Sequence, residues 1–374
     1  MACQKVASAN TQFAFEIYKH VAAAAGAENI FFSPVSISTA LAMLSLGARS
    51  ETLGQLMKGL GFRPGEVPSK ELHAGFQHLI QALNSPHSLL QLRMGNALFI
   101  QQELEPLQTF LADVKKHYHS ETFPTDFQNE EEAKQQINSY VEAQTKGKIV
   151  DLLKRLDTCT VLVLINFIYF RGQWDKPFEL ESTREDDFHV DEHTTVRVPM
   201  MFNWSCYNIA HDRERCATVV QLPYKGNASA FFILPDPGKM KQLEDALSSS
   251  VIEEWMKSMH SSTIDLHMPR FSISGTLDLK DLLQKMGVTD VFCDQADLSG
   301  ITSACKLKVS KALHKAVLSV DEKGTETAAA TALQLVPLCL PPTIKFDRPF
   351  LVVIYETETK SYLFTGKIVN PTAK

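Results

Sequence analysis

The run "TVLVLINFIYFRGQW" at 160–174 constrains this chain more than any other stretch. It is apolar almost without a break, so it is not the alternating strand of a half-exposed sheet. Strands of this composition are buried on both faces. As a helix, its apolar part (161–170) is too short to cross a bilayer. The chain must therefore build a sheet that is covered on both sides.

Periodicity supplies candidates for the cover. "NTQFAFEIYKHVAAAAG" (10–26) puts Phe13, Ile17 and Val21 on one helical face and stops at a glycine. "SPVSISTALAMLSLGA" (33–48) starts with Ser-Pro and is apolar nearly all round, which predicts a buried helix. Amphipathic helices are predicted at 50–62, 70–85, 103–118 and 129–153, and a strand at 92–101. The second half is strand-rich, at 196–210, 216–224, 228–234, 263–274, 343–356 and 361–369, with helices at 238–259 and 277–286. The sum is an α+β fold with large antiparallel sheets. No Ser/Pro/Gly-rich or like-charge tract divides the 374 residues, so one domain spanning 1–374 is expected.

Composition excludes several functions. The formal net charge is −6, which gives no nucleic-acid footprint. Seven cysteines, odd in number and irregular in spacing, make neither a disulfide scaffold nor a metal site. Cys206 and Cys216 stand where a hairpin turning near 211–214 would set them face to face; separate thiols are the other reading. Two sequons occur, at Asn203 and at Asn227, the latter in a "KGN" turn. "MACQKVASAN" has no apolar leader core, so either the chain is cytosolic or a leader has been removed.

No enzyme motif survives inspection. "GLGFRPG" (59–65) follows a helix and has the wrong spacing for a phosphate cradle. There is no G-x-S-x-G elbow and no H-E-x-x-H. Cys339 has no His/Asn framework. Neither catalytic residues, nor a metal, nor a cofactor is expected.

One segment resists this bookkeeping. "DEKGTETAAATALQLVPLCLPP" (321–342) lies between the strand-like "KAVLSV" (315–320) and the predicted strand at 343–356. It is long, strand-compatible and has no helical stripe. On composition alone it is a solvated loop.

These residues, with "NIFFSPVSISTALAMLSLGA" (29–48), "INFIYFRGQW" (165–174), "FSISG" (271–275), "ADLSGIT" (296–302), "HKAVLSVDEKGTE" (314–326) and "LFTGKIVNP" (363–371), resemble the serpin family along essentially the whole chain. Within it the chain is most similar to the vertebrate plasma group of antitrypsin and antichymotrypsin. The resemblance implies about nine helices around three β-sheets, with an exposed reactive loop at about 322–342. It implies a secreted, extracellular and glycosylated monomer whose partner is a target serine protease, held as a covalent acyl complex. The protease cleaves the loop, which then inserts as a new strand in the main sheet; serpin loop insertion is a standard example of strand addition and of stored strain released.

Site residues follow from the same resemblance. The reactive bond is Leu338–Cys339, preceded by Val336 and Pro337. A Leu before the cut suits the apolar pocket of chymotrypsin-like and some elastase-like enzymes. The hinge comprises Glu322, Gly324, Thr325, Thr327, Ala328, Ala329 and Ala330. As an inserted strand, Thr325, Thr327, Ala329 and Thr331 would face inward, all small and uncharged. Most inhibitors carry Ala where Thr327 stands. Ser33, Ser36, Asn166 and His314 resemble the polar cluster under the sheet opening, and Trp174, Arg270 and Glu322 the group at its top.

The alternative function is a plasma hormone carrier of the corticosteroid- or thyroxine-binding type. Gln221 matches a steroid-contacting Gln, but Lys360 stands where the stacking aromatic would be. A heparin-dependent inhibitor is not expected, because the helix at 70–85 has no dense basic face. Neither nucleic acid nor membrane is an expected partner.

Overall fold

The computed structural model describes residues 2–63, 65, 67–85, 90–303, 307–324 and 341–373. The chain begins α1 (Ala2–Ala25), β1 (Ile30–Phe32), α2 (Pro34–Ser45), α3 (Ser50–Gly59), α4 (Ser69–Leu83). It continues β2 (Gln91–Gln101), α5 (Gln108–Tyr118), β3 (Glu121–Thr125), α6 (Glu130–Gln144), β4 (Leu162–Arg171). Next come β5 (Arg184–His189), β6 (Thr195–Asp212), β7 (Ala217–Pro223), β8 (Ala228–Pro235), α7 (Met240–Ala246) and α8 (Ser249–Ser258). The last are β9 (His260–Pro269), β10 (Phe271–Asp278), α9 (Leu279–Lys285), β11 (Lys311–Val320), β12 (Thr343–Lys345), β13 (Phe350–Glu356) and β14 (Ser361–Ile368).

The strands form two hydrogen-bonded sets. A five-stranded sheet has the order β10-β11-β4-β2-β3. A nine-stranded set runs β1-β14-β13-β8-β7-β6-β9-β12, with β5 on the side of β6. The three sheets that the resemblance implies appear as two connected sets because β6 belongs to two of them. Its first third (195–200) pairs β5, residues 200–209 pair β9, and residues 208–212 pair β7.

β4 is the doubly buried strand that its sequence demands, and its alternation shows how. Val163, Ile165 and Phe167 pack with Ala133, Ile137 and Val141 of α6. Leu162, Leu164, Ile168 and Phe170 point the other way into the main core. Every residue of α2 is buried on that second side. Ser33 caps α2 and Pro34 opens it, as the Ser-Pro signal requires.

Several boundaries differ from the sequence pattern, each for a local reason. The strand expected at 263–274 is two strands in different sheets, separated at Arg270. The helix expected at 238–259 is α7 and α8, because Ser248 leaves the helix and accepts a bond from Val251 N–H as a new N-cap. The run at 343–356 breaks between β12 and β13, ahead of Pro349. The helix expected at 129–153 ends at Gln144, where Lys146 and Gly147 take left-handed backbone. The short strands β1, β3 and β5 carry too few residues to show a period.

Candidate functional site

β11 leads directly into the segment that resists assignment, and its two neighbours hold it unequally. β10 pairs with it from Leu313 to Val320. β4 pairs with it in parallel from Lys311 to Val317, and that ladder ends there. β4 and β11 are therefore joined in their lower part and unlinked above it, on the side where the chain leaves Gly324.

A buried polar latch joins the two strands within the paired stretch. His314 and Asn166 lie opposite each other in the β4–β11 register. Ser33 N–H donates to His314 Nε2 at 3.0 Å. That nitrogen is thus an acceptor, so the neutral ring carries its proton on Nδ1 and donates it to Asn166 Oδ1. Asn166 Nδ2 donates to the Ser36 carbonyl at 3.1 Å and to Asn96 Oδ1 at 2.6 Å. Ser36 Oγ bonds Asn166 Oδ1 at 3.1 Å, and Ser33 Oγ accepts Ser36 N–H. All four expected residues have no exposed surface. Burial, reinforced by nearby Lys315, pushes the His314 pKa down to about 3.

The top of the sheet is organised around Glu322. Its side chain is buried and accepts from Thr183 Oγ1 at 2.8 Å; Arg270, much more exposed, lies 3.4 Å away. An ion pair with one exposed partner contributes little, so Thr183 and the surrounding backbone bonds matter as much. Phe178 N–H donates to the Glu322 carbonyl, and Trp174 N–H to that of Lys323 at 3.2 Å. Trp174 Nε1 donates to the Asp321 carbonyl at 3.0 Å, and its ring stacks on Tyr224 at 4.3 Å. Burial raises the Asp321 carboxyl pKa, and Glu322 beside it adds to the rise. Gly324 has φ of 98°, and a Cβ there would sit 2.3 Å from Trp174 N and 2.6 Å from the Gly172 carbonyl. Only glycine suits both the conformation and the space.

The structure thus assembles Ser33, Ser36, Asn166 and His314 in one cluster and Trp174, Arg270, Glu322 and Gly324 in another. Thr325, Thr327, Ala328, Ala329, Ala330, Val336, Pro337, Leu338 and Cys339 lie outside the described residues. Sequence reasoning missed Asn96, Thr183 and Tyr224. Asn96 had one signal, a polar residue facing Asn166 across neighbouring strands; Thr183 and Tyr224 had none.

Lys360 lines a cleft of 750 Å³ with Tyr355, Tyr362, Met256 and His78. Gln221 is not part of its lining. It bonds Asn208 and Ser229 on the neighbouring strands. The two carrier residues are therefore not brought together. Cys206 and Cys216 are separate thiols. Asn227 is exposed, its amide on Glu358 Oε2 at 2.8 Å. Asn203 is half-buried, its amide donating to the Pro177 carbonyl and to Tyr207 Oη.

The family model described as serpin (serine protease inhibitor) matches residues 8–371. Alpha-1-antiproteinase 2 of Equus caballus is 54% identical over 370 residues, 99% of this chain and 88% of that protein. An alpha-1-antitrypsin-like protein, GS55-MS, of Ictidomys tridecemlineatus is 53% identical over 371 residues, 99% of this chain and 90% of that protein. Among solved structures, human thyroxine-binding globulin complexed with thyroxine superposes with a TM-score of 0.95 at 46% identity, covering 100% of both chains. Human kallistatin superposes with a TM-score of 0.94 at 44% identity, also over 100% of both. With a buried latch between two partly joined strands and a match of this extent, the chain belongs to the serpin family.

Proposed function

We propose that this protein inhibits chymotrypsin-like or elastase-like serine proteases as a suicide substrate. The observation that carries the proposal is the β4–β11 ladder that stops at Val317, beneath the point where the chain departs. β4 and β11 are parallel, so a segment folding back after Gly324 would run antiparallel to both and complete the sheet. The protease serine attacks the Leu338 carbonyl and the Cys339 amine leaves. Residues 325–338 then enter as a strand before water can hydrolyse the ester. Each added ladder bond contributes about 1 kcal/mol net, with side-chain burial besides. The resemblance to antiproteinases supports the same reading. The test is an SDS-stable 1:1 complex with chymotrypsin, neutrophil elastase or cathepsin G. Cleavage by all three with no covalent complex contradicts the proposal.

A hormone-carrier reading rests on the Lys360 cleft and the likeness to thyroxine-binding globulin. It is the weaker one, since a lysine stands where a stacking aromatic is needed and Gln221 lies elsewhere. Fluorescence titration should detect no submicromolar cortisol or thyroxine affinity. Secretion fits the plasma relative HP-55 of Tamias sibiricus. Asn227 is the better supported glycan acceptor, because its amide has only an exposed carboxylate to leave. At Asn203, two partners would be lost.

A further inference from the structure

Two histidines meet between α4 and α5, outside both clusters described above. The rings of His73 and His117 lie 6.1 Å apart, centre to centre, with 40° between their planes. Helix spacing brings their neighbours along. His73 and Gln77 share one face of α4, and Asp113 and His117 share one face of α5, each pair four residues apart. Phe76 packs against Tyr118 beside them and joins the two helices.

Each ring spends the same nitrogen on a neighbour. His117 Nδ1 lies 2.9 Å from Gln77 Oε1. A carboxamide oxygen only accepts, so Nδ1 carries the proton and Nε2 keeps its lone pair. His73 Nδ1 lies 2.5 Å from Tyr118 Oη, which can accept in the same way. Nε2 of each ring is left for a ligand. Metal-binding histidines have this arrangement, the second nitrogen held by an oxygen that fixes tautomer and orientation. Two imidazoles sharing one ion through bonds of about 2.0 Å place their ring centres about 5–6 Å apart. The observed spacing is at the long end of that range.

Asp113 supplies the negative charge. Its carboxylate acts on both rings and favours positive charge beside them, while Lys116 opposes it at His117. A formed set of three ligands is absent among the described residues, so Asp113 or water has to complete the shell. His73 is buried, but His117 and Asp113 are partly exposed, which gives an ion its way in from the α5 side.

We propose that His73 and His117 bind one divalent transition ion, zinc or copper(II), through their Nε2 atoms, with Asp113 or water as the further ligands. Imidazole nitrogens suit these ions, whereas magnesium and calcium take oxygen ligands. The ion clamps α4 to α5, whether or not the loop inserts. The pair forms no sequence motif, because its members lie on separate helices.

The test is calorimetric titration of the intact protein with zinc chloride and, separately, with copper(II) and magnesium salts, with a thermal melt beside each. Zinc should bind and raise the midpoint, copper(II) should bind more tightly, and magnesium should do neither. Electron paramagnetic resonance of the copper(II) form should show splitting from two imidazole nitrogens. His117→Gln should keep the metal-free midpoint, lose that splitting and weaken zinc binding about ten-fold or more. Gln77→Leu should also weaken it, with both ligands kept. His193→Ala/His260→Ala removes two exposed imidazoles elsewhere and should leave it unchanged. Failure of zinc and copper(II) to bind, or equal weakening by His117→Gln and the control pair, overturns the site. Both outcomes are independent of whether the protein traps a protease.

Discussion

His314 illustrates how one side chain can fasten two strands. One ring nitrogen accepts Ser33 N–H and the other donates to Asn166, so a second proton has no place without breaking the first bond. Its pKa is lowered from 6.5 to about 3 by burial. Between those values the unfolded chain binds more protons than the native one, so stability falls as pH falls from 6.5 toward 3. The His314 contribution at pH 5 is a loss of about 2 kcal/mol. Urea midpoints of the wild type should therefore drop more steeply between pH 7 and pH 5 than those of His314→Gln; parallel curves would contradict the latch. In the proposed mechanism Leu338 acts at the other end. Burial of a Leu in a primary pocket is worth about 1.5–3 kcal/mol, and an Arg in the same place needs the acid of a trypsin-like pocket. Leu338→Arg should move the second-order inhibition rate from chymotrypsin toward trypsin or thrombin while the covalent complex persists. A preference that does not move with residue 338, or a cut elsewhere by mass spectrometry, places the reactive bond wrongly.

At the scale of elements, insertion demands a strand whose inward side chains are small and uncharged. Thr325→Arg would bury an unpaired charge between β4 and β11, at a severe cost. The variant should be cleaved by chymotrypsin without forming an SDS-stable complex; equal complex formation by both proteins refutes insertion. Much of this level was legible in the sequence because its signals are local. The doubly buried β4 showed as an unbroken apolar run, and α2 as a Ser-Pro start before a uniformly apolar helix. The division of 263–274 was not legible, since a continuous strand pattern does not reveal that Arg270 marks a change of sheet. Nor was the Thr183–Glu322 bond, which joins residues far apart in sequence with no periodicity between them. The residues of the buried polar cluster were recognisable through family resemblance. Composition alone left 321–342 a solvated loop and His314 a core histidine.

The proposed insertion requires that the whole molecule be held short of its most stable arrangement. Its principal sheet has a parallel pair that closes below and ends above, secured by a buried polar latch and by backbone bonds around Glu322 and Trp174. In the proposed mechanism the segment between β11 and β12 enters fully only once the chain has been cut. Cleavage should release that constraint. Ladder bonds of about 1 kcal/mol each along the inserted strand correspond to a rise in melting temperature of about 20 °C or more. The direct measurement is a calorimetric melt of the intact protein and of the same protein nicked between residues 333 and 340. A large upward shift on nicking is the expected result. An unchanged or lower midpoint would contradict the claim that the uncut fold is metastable.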